Sequence, residues 1–195
     1  MIEPATIAQR LERAALVIFL NAVEARLKVL FPDVTVRQHP GRIDVSDIIE
    51  KDIFNPPMLA VAAVRWKFEG DLDGSWNLDV EPAVYVITAE TVVGTKAVPR
   101  QQVAYALSLG VLQILGDIDG HRWGLQCGIS SPQKVEARPL FTSQTYAKGA
   151  AYYVVTWAQE LYTLGASPLD RPEISEPQIS DSNGEPVDDS DGAPV

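Results

Sequence analysis

The chain has one cysteine, two histidines and no apolar run approaching the ~20 residues of a membrane span. With Cys127 alone, no intrachain disulfide forms; this fits a reducing compartment, and the thiol reads as a small buried hydrophobe. His39, beside the turn signal Pro40-Gly41, reads as a solvated loop residue, because no histidine or carboxylate stands at ligand spacing around it. His121 and Cys127, placed on one strand, would stand about 20 Å apart, too far for a nucleophile and its base. There is no Gly-rich phosphate loop, no His-Glu-x-x-His and no Gly-x-Ser-x-Gly. Asp71-Leu-Asp-Gly and Asp117-Ile-Asp-Gly each look like half of a calcium loop. Counted from Asp71, however, glycine falls at position 4 and Pro82 at position 12, which fails the EF-hand pattern. Both read as Asp/Gly turns. No metal, cofactor or catalytic residue is expected.

Basic patches are also scarce. The formal charge is −10 over 195 residues, and residues 166–195 hold eight acids against Arg171 alone, a net of −7 that leaves −3 for residues 1–165. A nearly balanced body argues against nucleic-acid binding driven by bulk charge, which needs cations to displace counterions from phosphates. The terminal thirty residues contain five prolines and no aromatic, the composition of a disordered acidic tail. Glu3 and Glu12 stand where a secretory signal would carry positive charge, so none is expected.

What is present organises around Val98–Gly116. Pro99 suits a helix start and Gly116 a helix end. Val103, Leu107, Val111 and Ile114 share one face, while Tyr105, Leu109 and Leu112 cover much of the opposite side, leaving a thin polar strip at Ser108 and Gln113. Such a helix needs covering on two sides, by a sheet and by either the first helix or a neighbouring subunit. Upstream, Ile7, Leu11, Ala14, Ile18, Ala22, Ala25 and Val29 predict one long amphipathic helix from about Pro4 to Leu30. Val34–His39 reads as a first strand, and residues 43–57 as a short helix or an irregular excursion.

From Met58 to Glu69 the residues Val64, Trp66 and Phe68 point one way and Arg65, Lys67 and Glu69 the other, the alternation of a strand with one wet face. Asp71–Asp79 is its expected turn and Ala83–Glu90 the returning strand. Lys134–Arg138 alternates with Val135 and Ala137 on one face. Gly149–Gly165 carries Tyr153, Val155 and Trp157 on one face and Tyr152, Val154 and Thr156 on the other, a strand buried on both. The expected fold is α+β over residues 1–165, a mostly antiparallel sheet with a long N-terminal helix and a buried central helix packed on one face, followed by the tail.

In this order of elements the chain resembles the phage tail terminators, the tail-completion proteins of long-tailed phages, of the Mu-like type. The resemblance rests on the leading helix into Val34-Thr-Val, the hairpin Val64–Phe68 with Val84–Ile87, the helix Pro99–Leu115 and the closing strand Tyr152–Trp157. It implies a non-enzymatic virion protein of the tail or neck, assembled in the host cytoplasm as a homo-oligomeric, sixfold ring. Such a ring contacts the tail-tube protein on one side and the head-tail connector protein on the other, while DNA passes without specific binding and no membrane is involved. A neck or tail-tube protein of the same small plan is the nearest alternative. An enzyme or small-ligand module would need distant residues such as His39, His121 and Asp117 brought together. For a ring, Tyr105, Leu109, Leu112, Tyr152 and Val154 are the expected subunit interface, and the acids Asp71, Asp73, Asp79, Asp117 and Asp119 the expected channel-facing groups.

Overall fold

The computed structural model describes residues 4–41, 56–70, 76–125, 128–140 and 149–162. The acidic tail, Asp71, Asp73, Cys127 and most of the 43–57 stretch lie outside them.

The N-terminal segment forms two helices where one was expected. In α1 (Ile7–Arg13), Thr6 Oγ1 accepts from the Gln9 N–H at 3.3 Å while the Thr6 N–H donates to Gln9 Oε1 at 2.9 Å, a reciprocal cap. Ala14 is extended, with φ −75° and ψ 99°, and α2 (Ala15–Leu30) starts anew. The expected stripe is not the core face: Ile7, Leu11, Ile18 and Val29 are exposed, while Phe19, Val23 and Leu27 are buried. At 3.6 residues per turn the two stripes lie about 140° apart. The stripe with the larger side chains, flanked by Leu16 and Leu20, takes the core because it removes more apolar surface from water.

The strands are β1 (Thr35–Gln38), β2 (Met58–Gly70), β3 (Trp76–Ala89), the short pair β4 (Thr91–Val93) and β5 (Lys96–Val98), then β6 (Gln133–Pro139) and β7 (Ala150–Leu161). Between β5 and β6 run α3 (Arg100–Gly116) and a single 3₁₀ turn at Gly120–Arg122. The main sheet has the order β1-β2-β3-β7-β6, antiparallel throughout except for the parallel pair β1/β2. The fold is therefore α+β with a mostly antiparallel sheet.

Three local expectations change. Asp79 belongs to β3, not to a turn, because that strand already begins at Trp76. A bulge between Ala63 and Arg65 makes Val64 the extra residue of β2. Val64 consequently packs on the sheet face opposite to that of Trp66 and Phe68, which pair with Val80 and Leu78. The β4/β5 ribbon, turning at Gly94 with φ +63°, carries no strong alternation and was not anticipated.

Both sheet faces are buried. On the helix side, Leu59, Val61, Val84, Val86, Val155 and Trp157 pack with residues of α2 and α3. On the second side, Met58, Ala60, Ala62, Tyr85, Ile87, Tyr152 and Val154 form a separate cluster. Arg37 and His39 reach over that second face: Arg37 Nη2 lies 3.5 Å from Met58 Sδ, and the His39 ring stands edge-on to Tyr85 with centroids 6.5 Å apart.

Candidate functional site

Among the described residues, the histidines and the aspartate weighed for chemistry do not form a catalytic constellation. The His121 ring Nδ1 lies 2.8 Å from the Asp117 backbone oxygen, not from its carboxylate, and Asp117 Oδ2 accepts the Gly120 N–H at 2.6 Å. His39 sits on the other sheet face against Tyr85, so His39, His121 and Asp117 do not converge. Among the described residues no group of three or more His, Cys, Asp or Glu side chains is arranged to hold a metal ion, and no helix is long and apolar enough to cross a membrane.

His121, Trp123 and Ser130 are instead held by a buried amide. Gln159 Oε1 accepts from Trp157 Nε1 at 2.9 Å and from Trp123 Nε1 at 3.3 Å. Its Nε2 donates to the carbonyl oxygens of His121 and Ser130 at 3.0 and 2.8 Å. The two indoles stack at 5.6 Å. Every polar atom of a fully buried side chain is thus satisfied, which fixes the loop over the sheet at low cost. Sequence periodicity missed Gln159, because an isolated glutamine in an aromatic strand gives no sign of the loop it binds.

Clefts are shallow in chemical content. One of about 370 Å³ lies between the C-terminal ends of α2 and α3, lined by Arg26, Leu30, Phe31, Gln113, Ile114 and Asp117. A Cβ on Gly110 would come within 2.9 Å of the Phe31 ring that forms its wall. A second, of about 220 Å³, crosses the second sheet face among Lys67, Glu69, Asp79, Lys134 and Glu160. There Asp79 faces Lys67 at 3.6 Å and Arg65 at 3.9 Å, and Arg65 also meets Glu81 at 3.1 Å.

The expected channel acids therefore separate. Asp79 is compensated by two cations within a strand ladder, Asp117 ties down a turn and Asp119 is exposed. The expected interface residues separate too. Tyr152 and Val154 are buried in the second core and Leu112 packs against the first, so none of the three offers an open surface. Ser108, expected on a polar strip, is buried with Ala104, Val111 and Leu115. Its Oγ has no hydrogen-bond partner. The core face of α3 is centred between the two stripes read from the sequence, because Ala104 and Ser108 are small enough to let the helix approach the sheet.

Tyr105 and Leu109 remain on the surface, 58% and 55% exposed. Tyr105 stands edge-on to Tyr153 with centroids 5.4 Å apart. Burial, reinforced by the hydrogen bond and charge of Tyr105, pushes the Tyr153 hydroxyl up to about 12. Burial also raises Tyr152. Next to Tyr105 and Leu109 runs β6, the last strand of the sheet order, whose residues are all exposed, Val135 at 41%. β7 lies inside the sheet between β3 and β6.

At the opposite side of the sheet, β1 pairs with β2 only over Met58–Val61. Past that point, among the described residues, no strand lies beside β2 on that side, and Trp66 and Phe68 are 56% and 66% exposed. The protein thus carries two unlike apolar patches at the two ends of one sheet.

No family model matches the chain, and no curated protein matches it either.

Proposed function

We propose that the chain is a structural virion protein without catalytic activity, a tail terminator that closes into a ring and caps the tail tube. The observation that carries this reading is the pair of exposed apolar patches at opposite sheet edges: Tyr105, Leu109 and Val135 beside β6, and Trp66 and Phe68 on outer β2. Two different patches on opposite sides of one subunit favour head-to-tail contacts, which generate closed rings or open helical assemblies and not simple twofold dimers. The order of elements supplies the rest, since it resembles that of terminators and implies a sixfold ring between the tail-tube protein and the head-tail connector. In this reading the protein resides in the virion neck and assembles in the host cytoplasm, and DNA passes through the ring without specific binding. Asp119 is the bore candidate best supported, because it is exposed, whereas the carboxylate of Asp117, also an exposed residue, is tied to the Gly120 N–H.

Light scattering and negative-stain microscopy of the purified full chain test the reading. Closed rings of uniform size that halt the growth of tail tubes are expected. Open tubes would favour the alternative of a tail-tube protein, and a monomer at every concentration would overturn self-assembly altogether.

A further inference from the structure

Resting on the ring reading, we infer that neighbouring copies join by strand addition: β6 of one copy pairs antiparallel with the outer half of β2 of the next, Trp66 opposite Ala137 and Lys67 opposite Glu136. Strand direction permits it. Because β2, β3, β7 and β6 are successively antiparallel, β6 runs opposite to β2, so two copies related by rotation about an axis along the strands bring these edges together in an antiparallel pair.

Side-chain alternation agrees. Ala137 pairs with Val155 and Trp66 with Val80, and both partners belong to the helix-side core. Trp66 and Ala137 therefore lie on the same side of the joined sheet, and the pairing uses Glu136–Pro139, because the register of β6 shifts between Gln133 and Glu136, where Lys134 has φ 52°. Leu109 and Tyr105 of α3 lie on that side, giving the exposed indole an apolar neighbourhood.

Charge selects the register. With Trp66 opposite Ala137, Lys67 meets Glu136 on the second face. Arg65 faces Arg138, but Arg65 already has Glu81 at 3.1 Å and Asp79 at 3.9 Å, as Lys67 has Glu69 at 3.2 Å. Sliding by two residues one way carries Lys67 past Glu136 into the irregular stretch of β6. Sliding the other way puts Lys67 opposite Arg138 and Glu69 opposite Glu136. A slip of one residue turns Trp66 to the face of Glu136. The stated register is the one that sets Lys67 opposite a carboxylate within the regular part of β6.

Cross-linking tests the pairing in a Cys127→Ser background. Chains carrying Trp66→Cys alone and chains carrying Ala137→Cys alone should form disulfide dimers under mild oxidation only when mixed, and the chain carrying both changes should give a ladder of covalent multimers. Separately, Glu136→Lys should raise the concentration at which assemblies half-dissociate by about threefold, with Lys67→Glu restoring it. Both Glu136 and Lys67 are exposed, so folding is not at stake. Rings that form but yield no mixed cross-link would overturn the strand pairing while leaving the ring reading intact. Cross-links without charge rescue would overturn the register. A wild-type chain that never assembles would overturn the ring reading and this inference with it.

Discussion

Two rows of side chains cross the helix side of the same sheet and meet different fates. The inner row is Leu59, Val86 and Tyr153; the outer row is Trp66, Val80 and Gln159. All three inner residues are buried, in one cluster with Phe19, Val23 and Leu27 of α2 and Val111 and Leu115 of α3. In the outer row Gln159 and Val80 are buried near the stacked Trp123 and Trp157, but Trp66 is exposed. β2, β3 and β7 pair through both rows, but β1 flanks only the inner one. The cover differs too. The inner row lies under helices, and the outer row under a loop that, among the described residues, leaves Trp66 exposed. Burial on a sheet is decided by what the rest of the chain lays over it, and an aromatic left at the margin is available to another molecule.

The largest effect that tests this contrast is Leu59→Asp. A carboxylate with no partner in the inner row should cost about 4 kcal/mol or more and abolish cooperative unfolding in urea. A folded Leu59→Asp variant would show the inner row to be adaptable. Gln159→Leu should follow, at roughly 3 kcal/mol by urea denaturation, since it leaves two indole N–H groups and two carbonyl oxygens without their partner. An unchanged unfolding midpoint would mean that the loop covers the outer row without the amide.

Tyr153 sharpens the contrast through pH. Its hydroxyl ionises near 10 when unfolded but only at about 12 when folded, so the native state holds the proton more tightly. Its contribution to stability is complete below pH 10 and is lost as pH rises towards 12. Tyr153→Phe should remove that part of the alkaline decline, read as a smaller difference in unfolding midpoint between pH 10 and 12. An identical alkaline decline in the two proteins would place the hydroxyl in a wetter site than the inner row provides. The smallest effect on stability belongs to Trp66→Lys. It should change unfolding by no more than about 0.5 kcal/mol, yet raise the half-dissociation concentration of the assembly about tenfold or more. If it unfolds the monomer instead, Trp66 is a core residue and the two rows are alike.

Much of the inner row was legible from sequence. The two-faced strand Tyr152–Trp157 read as buried on both sides, and the structure buries it so, whereas Met58–Glu69 read as a strand with one wet face and its first half, Met58–Ala63, is buried on both. The alternation Trp66, Phe68 against Arg65, Lys67, Glu69 also held, apart from Val64, which the bulge turns over. Of the residues expected at an interface, Tyr105 and Leu109 are exposed, whereas Leu112, Tyr152 and Val154 pack in the protein's own cores. A period tells which residues share a face but not whether that face meets the same chain or another one.

By itself the sequence determined the types of element, the two-sided burial of the closing strand, the central helix and the scarcity of catalytic groups, because these follow from local periodicity, turn chemistry and residue inventory. Tertiary structure alone decided which of two apolar stripes on the N-terminal helices faces the core. It also decided that β7 is interior, that β6 and, among the described residues, outer β2 lie at the edges, and that Gln159 ties two tryptophans to a loop. Those outcomes depend on pairings between residues dozens of positions apart. Each is settled by competition for limited cover, where the arrangement that removes most apolar surface from water and leaves fewest polar groups unpaired prevails.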